Sequence, residues 1–196
     1  SIYSFNQYLQ KGFSPEECIV KAKEMGFDAI EIVDFIFGGK DKFEYAKILK
    51  QKADEVGISI SNLAIGANLL SKDGVKQALE YVDVASVLGV TCMRHDMCFT
   101  EGLKHWQGYD NVIDTLAKAT TEITEYAKTK GIKTMTENHG FFSQDSMRVE
   151  KLINTVANEN FGMLIDLGNF LCVDEDPVTA VGRCAKYAFF VHNAQK

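Results

Sequence analysis

No stretch of this 196-residue chain approaches the run of about 20 apolar residues that a membrane span requires. The N-terminus, Ser1-Ile2-Tyr3, lacks the basic, apolar and small-residue succession of a secretion signal, so a cytoplasmic protein is expected. Cysteine pairs are missing too. The five cysteines, Cys18, Cys92, Cys98, Cys172 and Cys184, form no CxxC motif and are odd in number, which suits reduced thiols used mostly as small core side chains. Basic charge is in short supply: 21 Lys and Arg face 27 Asp and Glu, and the net charge of -6 argues against broad nucleic-acid or anionic-membrane binding. No linker or low-complexity tract divides the chain, and its length most simply forms one domain.

What is present is a repeated punctuation, in which an amphipathic helix is followed by a glycine and then by a short apolar strand. It occurs at Met25-Gly26-Phe27, Val56-Gly57-Ile58, Leu88-Gly89-Val90 and Lys130-Gly131-Ile132. Glycine at that place fits the left-handed residue that ends a helix. Ser14-Pro15-Glu16-Glu17 combines an N-cap serine, a first-turn proline and a capping-box glutamate, which predicts a helix running to Met25. The stripes Ala46, Leu49, Ala53, Val56 and Val75, Leu79, Val82, Ala85 predict two more. A fourth is expected from about Asp110 to Lys130, and Asp145 and Asp176-Pro177 open two shorter ones.

The predicted strands are residues 2–5, 29–32, 58–63, 90–94, 132–137, 161–165 and 188–192, seven strands alternating with six helices. Such alternation gives a parallel α/β fold, either an open doubly wound sheet or a (β/α)8 barrel. The barrel is favoured, because no glycine-rich phosphate loop follows the first strand and polar residues stand at the ends of several strands. Only seven strands are visible, and a (β/α)8 barrel takes about 250 residues, so the sequence stops about one unit short.

Three of these runs end on a side chain that binds divalent metals: Thr134-Met135-Thr136-Glu137, Met163-Leu164-Ile165-Asp166 and Phe189-Phe190-Val191-His192. A parallel sheet collects such residues at its C-terminal edge. Two carboxylates and an imidazole there would make a mixed oxygen and nitrogen site for one divalent ion, Mn, Mg, Co or Zn.

The strand ends resemble those of the xylose isomerase-like TIM barrel superfamily, the sugar phosphate isomerase/epimerase family. The resemblance rests on Met25-Gly26-Phe27-Asp28-Ala29-Ile30-Glu31, Arg94-His95-Asp96, Glu137-Asn138-His139-Gly140, Asp166-Leu167-Gly168-Asn169 and Val191-His192. It implies a single barrel domain over residues 1–196, incomplete at the C-terminus, with Glu137, Asp166 and His192 as metal ligands. The family's fourth ligand, a glutamate on the last strand, has no counterpart here. Asn169 stands where many relatives have a histidine, and Asn193-Ala194 where many have a lysine-aspartate pair.

The resemblance further implies a metal-dependent isomerase or epimerase of a small sugar, polyol or sugar phosphate, working through an enediolate, with Glu137 as both ligand and base. His139, Asn169, Arg94, His95 and Glu31 are the candidate substrate-binding residues. A strand-end salt bridge of Arg94 with Asp96 and a barrel-internal ion pair of Glu31 are the plainer readings of those two. His105 and Trp106 could wall the pocket. The expected partner is a small carbohydrate, with neither nucleic acid nor membrane, and homo-oligomerisation is left open. Three rival readings remain: an inosose-type dehydratase, an endonuclease IV-like phosphodiesterase, for which four histidines are few, and a non-catalytic carbohydrate-binding barrel.

Overall fold

The computed structural model describes residues 1–98, 106–140 and 142–193. His105 and the side chain of Trp106 lie outside the described residues. Six strands form one parallel sheet in sequential order: β1 (Ala29–Val33), β2 (Ser59–Ile65), β3 (Cys92–His95), β4 (Lys133–Glu137), β5 (Phe161–Asp166) and β6 (Ala188–His192). Among the described residues seven α-helices accompany them: α1 (Asn6–Gln10), α2 (Pro15–Glu24), α3 (Lys42–Val56), α4 (Lys72–Leu88), α5 (Trp106–Thr129), α6 (Ser146–Val156) and α7 (Pro177–Cys184).

The expected strand over residues 2–5 is instead a 3-10 helix, Ile2–Phe5, so the sheet has six strands and not seven. The reason lies in its spacing. Ile2 and Phe5 are buried while Tyr3 and Ser4 between them are exposed, and residues three apart eclipse on a 3-10 helix whereas a strand would alternate. Ser1 starts the turn by accepting the Tyr3 N–H. The other helix signals act as read. Ser14 and Glu17 form a reciprocal capping box, Pro15 opens α2, Asp145 and Asp176 cap α6 and α7, and Gly57 and Gly89 end α3 and α4 with φ of 71° and 73°. The short α1 was not anticipated.

Register divides the sheet into two faces. Leu63, Met93, Thr134 and Phe161 are paired across four strands, and so are their neighbours Ala64, Arg94, Met135 and Gly162. Leu63, Met93 and Phe161 of the first row, with Ile30, Ile32, Ile65, Met163 and Ile165, pack with the helices in one continuous hydrophobic core. Consecutive helices from α2 to α7 also pack against each other. A doubly wound sheet would have helices on both faces; here the second face looks inward and bears Glu31, Asn62, Arg94, Glu137 and Asp166. Six strands laid flat would put β1 and β6 about 24 Å apart, yet Glu31 on β1 touches His192 on β6 at 3.1 Å. The sheet is therefore curled into an open barrel.

Three of the five cysteines, Cys18, Cys98 and Cys184, are buried; Cys92 is half-buried and Cys172 exposed.

Candidate metal centre

β4 delivers Glu137 to the C-terminal edge, and both of its carboxylate oxygens are engaged. Arg94 Nη2 donates to Oε2 at 2.6 Å and Asn169 Nδ2 to Oε1 at 3.0 Å. A carboxylate oxygen accepts more than one hydrogen bond, so the group is held without being used up. Arg94 also donates to Ile65 O at 3.1 Å and pairs with Asp96 Oδ1 at 3.1 Å. Burial would lower the Arg94 pKa, but Asp96 and Glu137 beside it raise it instead, so the guanidinium stays charged. The salt bridge of Arg94 with Asp96 foreseen in the sequence exists, extended to Glu137.

Asp166 at the end of β5 is fixed from two sides. Asn138 Nδ2 donates to its backbone oxygen at 2.8 Å, and its backbone N–H donates to Asn138 Oδ1 at 2.7 Å. Its own Oδ1 accepts the N–H groups of Gly168 at 2.8 Å and Asn169 at 3.2 Å, leaving Oδ2 for other partners. His192 ends β6 and meets Glu31, which Asn62 Nδ2 holds at 2.7 Å. Burial opposes charge on both groups, yet their mutual attraction raises the His192 pKa, aided by Glu137 and Asp166, and lowers that of Glu31.

The fold brings Glu137, Asp166 and His192 together: one ligand atom from each lies within 4.8 Å of the others. Two ligands about 2.1 Å from one ion stand at most about 4.2 Å apart, so small side-chain rotations would close the set. Among the described residues, Glu31, Asp34, Asp96, Glu137 and Asp166 gather in this region around one permanent cation, Arg94. An excess of carboxylates with one imidazole is a donor set that fits a divalent cation.

The remaining candidates separate. Asn169 and Arg94 reach the cluster through Glu137, and Glu31 through His192. His139 is half exposed, with Nδ1 3.8 Å from Asp96 Oδ1 and a pKa raised by that neighbour despite partial burial. His95 is not brought to the cluster. It shares a register row with Ile65 on the helix-facing side, is fully buried, stacks on Phe161 at 6.0 Å between ring centres, and has a pKa pushed down by burial to about 4. Arg94 and His95 are adjacent, and strand alternation sends them to opposite faces. Sequence reading missed Asn62, Asn138 as a clasp and Asp34, whose Oδ2 accepts the Gly66 N–H at 2.9 Å. An amide side chain directly ahead of the apolar run Leu63-Ala64-Ile65 was the available signal for Asn62.

A parallel barrel sheet with polar side chains gathered at its C-terminal edge is the architecture of TIM-barrel enzymes. Residues 19–195 match the family model described as xylose isomerase-like TIM barrel, and the chain belongs to that family. No curated protein sequence matches it. Solved structures similar to it include 3-keto-D-glucoside 4-epimerase YcjR from E. coli, with a TM-score of 0.77 at 16% identity, covering 94% of this chain and 76% of that one. D-psicose 3-epimerase from Clostridium cellulolyticum H10, solved with D-tagatose, has a TM-score of 0.76 at 15% identity, covering 90% of this chain and 66% of that one. A xylose isomerase-like TIM barrel protein from Mycobacterium smegmatis in complex with magnesium has a TM-score of 0.73 at 17% identity, covering 91% and 65%. The chain thus spans about two thirds to three quarters of the length of these proteins.

Proposed function

We propose that this protein is a divalent-metal-dependent isomerase or epimerase of a small sugar or polyol. The observation that supports it most is the convergence of Glu137, Asp166 and His192 from three consecutive strands. A divalent ion held there would supply positive charge opposite the oxygens that become negative when a ketose loses the proton beside its carbonyl. Glu137 is the base that takes this proton, its carboxylate plane set by Arg94 on one oxygen and Asn169 on the other. Asp166 and its Asn138 clasp keep the facing side of the site rigid. Isomerisation and epimerisation differ in the carbon to which the proton returns. Arg94, the one permanent cation among the described residues of the cluster, is already matched by Asp96 and Glu137, which favours a neutral sugar over a phosphorylated one.

The test is exchange in deuterated water, with Mn2+ or Co2+ and a panel of ketoses, inososes and their phosphates. Deuterium should appear on the carbon next to the carbonyl, and Glu137→Gln should reduce exchange about 10²- to 10⁴-fold. Metal content is measured on the same sample. Metal retained with exchange lost supports the base role, and unchanged exchange rejects it. Loss of water from an inosose would point to a dehydratase, and absence of exchange with metal bound to a carbohydrate-binding barrel.

A further inference from the structure

Glu31 is 4% exposed, and a buried carboxylate needs partners to remain charged. It has two on its Oε2: Asn62 Nδ2 from β2 and His192 Nε2 from β6. Asn62 is itself fully buried, and its Oδ1 has no partner among the described residues. The hydrogen bond to Glu31 therefore offsets much of the cost of burying that amide. Among the described residues His192 has little else to orient it. Its strand is at the edge of the sheet, paired on one side only, and its ring meets Phe190 edge-on at 5.8 Å. Glu31 is not among the three residues whose ligand atoms all lie within 4.8 Å of one another.

We propose that Glu31, steadied by Asn62, is a positioning residue for the metal centre: it accepts the Nε2–H of His192 and so presents the Nδ1 lone pair to the cation. This rests on the metal site proposed above. An imidazole whose second nitrogen is held by a carboxylate is fixed in tautomer and ring orientation and is a stronger donor. The arrangement ties the two edges of the open sheet together at the site, so β1 sets the aim of a ligand supplied by β6.

Metal-free protein is titrated calorimetrically with Mn2+, using the whole chain, with folding checked by circular dichroism. Glu31→Gln should bind one ion about 10- to 100-fold more weakly than wild type. Glu31→Asp, which keeps the charge but shortens the reach, and Asn62→Leu should weaken binding in the same direction. With Zn2+ bound, long-range proton–nitrogen NMR correlations of His192 should show Nε2 protonated, a signature that a loss of fold alone does not move. Unchanged Mn2+ affinity in folded Glu31→Gln or Glu31→Asp, or a proton on Nδ1 of the wild-type complex, would overturn the proposal. Complete loss of binding in folded Glu31→Gln would overturn it as well, by making Glu31 a ligand. A wild-type protein that takes up no Mn2+ rejects the parent reading of a metal site, which is distinct from wild type and variants binding equally.

Discussion

β5 and β6 lie side by side, and each ends on a candidate ligand, yet every residue of Phe161–Asp166 is buried and none of Ala188–His192 is. β5 has a strand on either side and helices over its outer face. β6 has a partner on one side, and Val191 on it is 53% exposed. Asp166 is accordingly held through its backbone by Asn138 and through its side chain by two N–H groups, whereas His192 is aimed across the barrel by Glu31. A functional group inside a sheet inherits rigidity from its own strand and loop, but one on an edge must borrow it from elsewhere.

The sharpest way to break this contrast is to loosen the rigid side. Asn138→Leu would remove two hydrogen bonds and leave the buried Asp166 N–H and C=O unsatisfied, at roughly 1–3 kcal/mol each. A loss of about 4 kcal/mol in urea-induced unfolding is expected, and a loss under 1 kcal/mol would show that Asp166 needs no clasp.

The buried side also carries a pH dependence, because His95 stacks on Phe161 of β5. Its folded pKa of about 4 lies below the 6.5 of an unperturbed histidine, so on acidification the unfolded chain binds the proton first. This contribution is complete above about pH 6.5 and falls at up to ~1.4 kcal/mol per pH unit until about pH 4. The stability difference between wild type and His95→Gln should change by about 3 kcal/mol over that window. Parallel pH profiles would show that His95 is not buried neutral.

The junction of the two strands can be stressed at Gly162, where an added Cβ would stand 2.6 Å from Tyr187 O and 2.7 Å from the Phe189 ring. Gly162→Ala should cost about 2 kcal/mol through displacement of β6. Faster hydrogen exchange confined to β6 is the readout, and uniform exchange across β5 and β6 would show that the two strands yield together. The smallest effect is expected far from both strands. Ser14→Ala removes the α2 cap for about 1 kcal/mol and should leave Mn2+ affinity unchanged; a weaker affinity would mean that the site depends on global stability and not on local support.

Much of this was legible in local pattern. The capping signals at Ser14, Asp145 and Asp176, the glycine stops at Gly57 and Gly89 and the bounds of the six sheet strands, each read to within two residues, come from interactions within a few residues, which depend little on the rest of the molecule. The exceptions are instructive. At Ile2–Phe5 a short apolar run is ambiguous between strand and helix, and burial at positions three apart decided the outcome. At Arg94-His95 the sequence marks two polar residues at a strand end, but only the register with Ala64 and Ile65 shows which one faces inward.

By itself the sequence determined the alternation of helices with parallel strands, their caps, and the placing of Glu137, Asp166 and His192 at strand ends. These follow from hydrophobic period and turn chemistry, which act over a few residues. Only the tertiary structure decided that the sheet curls far enough for β1 to meet β6, that Glu137 sits between Arg94 and Asn169, and that Glu31 and Asn62 stand behind His192. Those contacts join residues 31 to 161 positions apart, and side chains so distant in the chain are brought together by the burial of the whole helix layer against one face of the sheet, which no local pattern encodes.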